Sequence, residues 1–319
     1  MRIDIFCTIG PSSLNKKFLK FAKNKIDLLR INMSHVSIKS LKQQIKFIKK
    51  NSSIPICIDT EGAQIRTKIK KKKYYKKNKK LIISKYYGST RFYPYSVFDK
   101  LKLKDKLELG FSGLEIEIKK KLLNRLICKV IKPGLLEKDK GVHVKNRRIK
   151  MNYLTEKDIQ AIKIARENKI KNFALSFTNT GEDVKKFNTL LDNKVKIFKL
   201  ETKSALKNLK QIIKFGKNFL IDRGDLSKDI SIEQIPVAQR KIIKVSTKNN
   251  KNVYVATNFL ESMINNNIPN RGEVNDIYST LEQGAKGLVL AAETAIGKNP
   301  EECVNMLRKI IKVYLKNKK

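Results

Sequence analysis

Five charged residues stand at one kind of place in this sequence. Arg30, Asp59, Lys199, Glu201 and Asp225 each lie at or just past the end of a short apolar run: IDLLR, IPICID, VKIFKLE and FLIDRGD. A buried strand gains nothing from ending in a charge, because desolvating an ion is costly unless it is paired. Charges of both signs at several strand ends therefore point to one polar site made of strand tips. A parallel α/β barrel carries its active site there. Glu201 and Asp225 can share one Mg²⁺, which takes one or two carboxylates together with substrate oxygens and water. Lys199 lies two residues before Glu201, so on a strand both side chains share a face. A cation beside a bound metal suits a phosphoryl group in transfer, and Arg30 and Arg66 add phosphate-binding capacity. The bland alternative for each residue is a structural ion pair. It loses weight when all of them fall at strand ends.

The elements that must position these residues alternate regularly. The patterns predict strands at 3–9, 26–32, 54–59, 171–177, 195–201, 218–223, 252–258 and 287–292. They predict helices at 13–24, 37–50, 155–168, 181–191, 203–214, 233–248, 272–284 and 300–315. Eight strands each followed by a helix predict a TIM (β/α)₈ barrel in the α/β class. Ser12 and Ser37 are expected helix N-caps. Thr155 and Asp158 are read as a capping pair before an apolar stripe of Ile159, Ile162, Ile164 and Ala165. Pro300 suits the first position of the last helix.

The one long delay follows the third strand. There KLIIS, KLELG, LEIEIK and RLICKVI, separated by Gly and Asn, read as a small all-β domain. The expected division is a barrel of 1–67 and 146–319 with an inserted lid of 68–145. The insert opens with KIKKKKYYKKNKK, read as an exposed edge strand protected by Lys, with a nucleic-acid strip as the less favoured alternative.

Composition narrows the classes. The 319 residues, 41% hydrophobic, suffice for one large core and a smaller insert. No run of 18 apolar residues occurs, so no membrane span is expected. MRIDIFCTIG lacks the features of a signal peptide, which leads us to expect a cytoplasmic protein. Cys7 and Cys57 fall in strands and are expected to pack as small apolar residues. Only His35 and His143 exist, which excludes a multi-histidine metal site. The net charge of +42 invites a polyanion partner. However, only 12 of the 71 basic residues are Arg, whereas dedicated nucleic-acid surfaces use Arg for bidentate contacts. No specific nucleic-acid partner is therefore expected.

Eight segments in order carry a resemblance. CTIGPSS (7–13), RINMSH (30–35), IDTEGAQIRT (58–67), FKLET (198–202), RGDL (223–226), ATNFLESM (256–263), NRGE (270–273) and AAETAIGKNP (291–300) resemble the signature blocks of pyruvate kinases. The resemblance covers nearly the whole barrel. It implies transfer of a phosphoryl group from phosphoenolpyruvate to ADP, giving pyruvate and ATP, with Mg²⁺ (or Mn²⁺) and K⁺. It implies that Lys199 stabilises the phosphoryl group and that Arg30 contacts it. Glu201 and Asp225 would hold the divalent metal. The backbone of Arg223, Gly224 and Asp225 would face the substrate carboxylate, and Thr257 would contact that carboxylate near the enolate carbon. Asn32, Ser34, Asp59 and Thr60 match the potassium ligands, all hard oxygen donors. Pro11 and His35 would flank the nucleotide, Arg66 and Lys140 would meet its phosphates, and the insert would be a mobile lid.

The sequence also departs from that pattern. It stops after the eighth barrel helix, so regulation through the family's usual C-terminal domain is not expected. The lid's Asp-Asp-Gly stretch is replaced within LGFSGLEIEI, and its Asn-Leu-Pro-Gly by His143-Val144-Lys145-Asn146. Lys-Gly-Pro-Glu after the third strand reads Glu61-Gly62-Ala63-Gln64, removing a positive charge. Ser-Gly before the last Glu-Thr-Ala reads Ala291-Ala292, removing a hydroxyl implicated in proton delivery. Three readings follow. The first is an active kinase of this type. The second is a divergent relative with another acceptor or reaction, and the third a non-catalytic basic binding protein. The oligomeric state stays open, with a homo-oligomer among the options.

Overall fold

The structure, a computed structural model, describes residues 2–110, 113–145, 147 and 149–318. Phe111, Ser112 and Asn146, which belong to the altered lid segments, lie outside the described residues. The chain forms two compact units, Met1–Gly62 with Glu156–Lys319, and Ala63–Thr155.

The first unit is the expected barrel. Its strands are Asp4–Thr8, Leu28–Asn32, Ile56–Asp59, Asn172–Leu175, Val195–Leu200, Asn218–Asp222, Asn252–Ala256 and Gly287–Leu290. They close into one parallel ring in which each strand neighbours the previous and the next, and the eighth pairs with the first. Both faces of such strands are covered, so they read as near-continuous apolar runs. Every strand contributes to one interior layer, from Phe6 and Leu28 through Ile197 and Leu220 to Tyr254 and Val289. The barrel centre is a packed core.

Most expected helices form, with informative exceptions. Ser37 caps Ile38–Asn51 by accepting from the Ser40 amide at 3.1 Å. Ser12 caps nothing. The chain turns through Pro11–Ser13 first, and Asn15 caps Lys16–Ala22, accepting from the Phe18 amide at 2.8 Å. The expected helix 203–214 is two, Lys203–Lys207 and Leu209–Phe215, broken at Asn208 where ψ reaches 14°. In Glu156–Glu167 the apolar stripe is rotated: Ile159 is 59% exposed and Asp158 fully buried. Asp158 accepts the amides of Glu61 and Gly62 at 2.7 and 3.0 Å. Satisfying two buried N–H groups outweighs burying one isoleucine. Cys7 and Cys57 are free and buried, as expected.

The second unit closes seven strands, Ile65–Ile69, Lys80–Ser84, Thr90–Tyr93, Lys106–Leu109, Leu114–Lys121, Arg125–Lys132 and Gly141–Val144, into a mixed barrel. Its core alternates along the strands, with Leu107, Leu109, Ile116, Ile118, Leu126 and Cys128 inside. Lys73–Tyr75, within the Lys-rich stretch, pairs only with Gly134–Leu136 as a two-stranded sheet. That is the Lys-protected edge the sequence announced. No helix among the described residues is long and apolar enough to cross a membrane.

Candidate active site

The interior layer of the barrel is followed two residues later by a polar one. Leu28, Cys57, Ala174, Ile197 and Leu220 lie inside. Arg30, Asp59, Ser176, Lys199 and Asp222 come two positions on, so strand alternation points them at the same axis. All five are buried. The apolar floor thus leads directly into a charged centre at the C-terminal ends of the strands.

Lys199 is the hub of that centre. Its Nζ lies 3.1 Å from Glu201 Oε2, 3.1 Å from Asp222 Oδ2 and 3.5 Å from Asp59 Oδ2. It also donates to Ser176 Oγ at 3.3 Å. The hydroxyl of Ser176 donates to Asp59 Oδ1 at 3.1 Å. Arg30 Nε stands 3.6 Å from Asp59 Oδ2, and its Nε and Nη1 are buried without a hydrogen bond. Glu201 Oε1 accepts the Phe177 amide at 2.6 Å.

The electrostatics follow from this crowding. Four carboxylates, Asp59, Glu201, Asp222 and the half-buried Asp225, face two cations. Burial pushes Lys199 toward the neutral form, but Asp59, Glu201 and Asp222 outweigh it and raise its pKa. Burial pushes the Glu201 carboxyl up to about 8; Asp225, Asp222 and Asp59 add to that, while Lys199 opposes it. Burial works the same way on Asp222, yet Lys199 and Arg30 hold it down to about 2. Of these carboxyls Glu201 therefore holds a proton most readily, while Asp222 stays ionised.

A divalent ion fits this donor set. Oxygens of Glu201, Asp222 and Asp225 lie within 4.8 Å of one another, and Glu201 Oε2, buried and ion-paired with Lys199, makes no hydrogen bond. Hard carboxylate oxygens suit Mg²⁺. Asn32 and Asp59 are register partners on adjacent strands, each followed by a further oxygen donor of the expected set, Ser34 and Thr60. Asn32 Oδ1 accepts the Ser34 amide at 3.0 Å, and Thr60 Oγ1 accepts the Ser176 amide at 3.0 Å. All four are oxygen donors with lone pairs left over, which fits an alkali cation.

The turn that follows the sixth strand is held tightly. Arg223–Leu226 is one helical turn directly after the sixth strand. Arg223 pairs with both Asp276 oxygens at 2.9 and 2.7 Å and lies 4.3 Å over the Phe259 ring. Its Nε donates to the Thr257 carbonyl at 3.1 Å. Thr257 has φ of +82°, costly for a β-branched residue and tolerated only where surroundings impose it. A Cβ at Gly224 would meet Thr257 Cγ2 at 3.0 Å, so that glycine permits the close approach.

Pro11 and His35 are exposed, in turns after the first and second strands. Arg66 and Lys140 lie in the insert unit, where they come together: Gly141 is the register partner of Arg66, and the Thr67 amide donates to the Lys140 carbonyl at 2.9 Å. Glu61, in place of a lysine, is fully buried and paired with Lys157 at 2.8 Å. Sequence reasoning passed over Asp222, Ser176 and Lys157. The first two were within reach, since each lies two positions beyond an interior residue of its strand.

Residues 1–304 match the family described as pyruvate kinase, barrel domain. The chain belongs to the pyruvate kinase family. It is 32% identical to a pyruvate kinase of Thermotoga maritima and 33% identical to one of Methanocaldococcus jannaschii, over 97% of this chain in both cases. It is 31% identical to plastidial pyruvate kinase 3 of Arabidopsis thaliana over 96% of the chain. It spans 70%, 68% and 57% of those relatives. As a pyruvate kinase family member it is an enzyme of the kinase class.

Proposed function

We propose that this chain transfers the phosphoryl group of phosphoenolpyruvate to ADP, giving pyruvate and ATP, and that it requires Mg²⁺ or Mn²⁺ and is activated by K⁺. The observation that carries the proposal is the Lys199 ammonium, buried among Glu201, Asp222 and Asp59 beside an Arg30 guanidinium with unfilled N–H groups. Phosphoryl transfer asks for little covalent chemistry from the protein. It needs positioned positive charge on the equatorial oxygens and an in-line path.

In this reading Arg30 binds the phosphoryl oxygens through N–H groups that make no hydrogen bond of their own. Lys199 holds the same oxygens as they move, already desolvated, so no solvent reorganises during the step. Glu201 and Asp225 hold the divalent ion, which when bound neutralises the charge of the phosphoryl and carboxylate oxygens. Asn32, Ser34, Asp59 and Thr60 hold the potassium. The backbone of Arg223, Gly224 and Asp225, with Thr257, receives the substrate carboxylate. Pro11 and His35 flank the nucleotide, and Arg66 and Lys140 are assigned to its phosphates.

The test is pyruvate formation from phosphoenolpyruvate and ADP with Mg²⁺, with and without K⁺, for the wild type and Lys199→Ala. Potassium-stimulated turnover that Lys199→Ala abolishes is the expected result. Absence of turnover with metal-dependent phosphoenolpyruvate binding retained would replace this reading by one with another phosphoryl acceptor. Ala291 and Ala292, which lack a hydroxyl near the enolate carbon, are the feature that favours that second reading.

A further inference from the structure

Asp222 stands beside the divalent-ion donor set, but the proposed reaction gives it no role. It ends the sixth strand, between the strand of Lys199 and the strand that leads into Thr257. It is 7% exposed. Its two oxygens are divided between these neighbours: Oδ2 lies 3.1 Å from the Lys199 ammonium, and Oδ1 accepts the Thr257 hydroxyl at 2.8 Å. A buried carboxylate is expensive unless both oxygens are satisfied. Here each is satisfied by a group with a role in the proposed reaction, and the two groups lie on opposite sides of it.

We propose that Asp222 is a positioning residue that clamps the Lys199 ammonium and the Thr257 hydroxyl to one carboxylate, so that both are presented to the substrate as a single unit. The inference rests on the phosphoenolpyruvate reading above and deepens it. Two features argue for a clamp and against a lone ion pair. Lys199 already has Glu201 at 3.1 Å and Asp59 at 3.5 Å, so Asp222 is not needed to neutralise it. Thr257 is held a second time from behind, its carbonyl accepting from Arg223 Nε, so its left-handed backbone and its hydroxyl are both fixed. Asp222 thus joins a cation that meets the phosphoryl group to a hydroxyl placed at the other end of the substrate. The separation of those two groups is the quantity a near-attack geometry depends on, and about 1 Å of misplacement can cost about 10²-fold in rate.

The experiment compares wild type, Asp222→Ala, Asp222→Asn, Thr257→Ala and the Asp222→Ala/Thr257→Ala double variant, with thermal melts of each. Asp222→Ala is expected to lower kcat about 10²-fold with KM for phosphoenolpyruvate changed less than about threefold. Asp222→Asn keeps an acceptor for Thr257 and is expected to recover part of the loss. The double variant is expected to be much less impaired than the product of the single losses, the signature of coupled partners. An Asp222→Ala enzyme within twofold of wild type would overturn the clamp, and so would losses that multiply. If Asp222→Ala does not fold, Asp222→Asn against Thr257→Ala decides by the same non-additivity. If the wild type makes no pyruvate, the phosphoenolpyruvate reading fails separately. The clamp is then read from crystal structures of wild type and Asp222→Asn. A shift of Lys199 Nζ or Thr257 Oγ1 by about 1 Å or more supports it, and unchanged positions overturn it.

Discussion

The barrel and the insert handle charge in opposite ways. The insert is the more basic by sequence: residues 63–155 carry 28 Lys and Arg against 7 Asp and Glu, while the remaining 226 carry 43 against 22. Yet the insert keeps a continuous apolar interior and leaves most of its lysines solvated, as where Lys132 and Lys145 reach in from the surface to Glu115 at 2.9 and 2.8 Å. The barrel has the milder charge balance but buries Arg30, Asp59, Lys199, Glu201 and Asp222 together. Net charge therefore says little about where electrostatics matter. A few desolvated charges outweigh many solvated ones, because water screens the latter.

The contrast has consequences that measurement can break. The largest belongs to Lys199→Ala, which should lower turnover about 10³-fold, as loss of a preorganised charge does. It should also leave the metal-free barrel destabilised by about 3–5 kcal/mol, because buried carboxylates lose their shared cation. Calorimetric melts with and without Mg²⁺ should show the variant depending more on the metal than wild type does. A melt unchanged from wild type would mean the centre is solvated after all.

The insert contains one buried pair that resembles the barrel centre. Asp105, 1% exposed, is held bidentately by Arg147 at 2.8 and 2.7 Å. Burial would raise its pKa, but the hydrogen bonds from Arg147 and the Lys102 amide win and lower it. A lowered carboxyl contributes stability that is present above its ordinary value near 4 and is lost as pH falls through the lower folded value. Asp105→Asn should therefore destabilise the insert by about 3–5 kcal/mol at pH 7. That difference should shrink below about pH 4. Amide hydrogen exchange within 63–155 reads it, and Mn²⁺ binding to the barrel should not change.

Ile116→Ala removes a fully buried side chain from the insert core and should cost about 2–5 kcal/mol by the same exchange measurement, independent of pH. Smallest of all should be Lys132→Ala. Its side chain is 61% exposed, and loss of such a pair should cost less than about 1 kcal/mol. A larger effect would show that the peripheral charges of the insert act as a network.

Much of this was legible in the sequence because it is local. The apolar runs and helical stripes set eight βα units, and a charge at the tip of a run survives any rearrangement of what lies beyond it. Arg30, Asp59, Lys199 and Glu201 were found that way. Where two local rules competed the reading failed. Ser12 and Asn15 are both good caps, and the turn at Pro11–Ser13 chose between them. Ile159 and Asp158 both wanted the inner face of one helix, and the amides of Glu61 and Gly62, nearly a hundred residues away in sequence, decided for Asp158.

The sequence by itself determined the strand order and which residues could bear the chemistry, since side-chain alternation and charge are properties of short segments. Only the tertiary structure decided which charges share a partner. Asp222 looks like any aspartate at a strand end until ring closure puts its strand between those of Lys199 and Thr257. Glu61 looks like a lost positive charge until Lys157 arrives beside it. The left-handed backbone of Thr257 has no signature in its neighbours. Arg223, Asp276 and Asp222 impose it from three separate elements. Pairing energies depend on distance and desolvation, and both exist only once the barrel has closed.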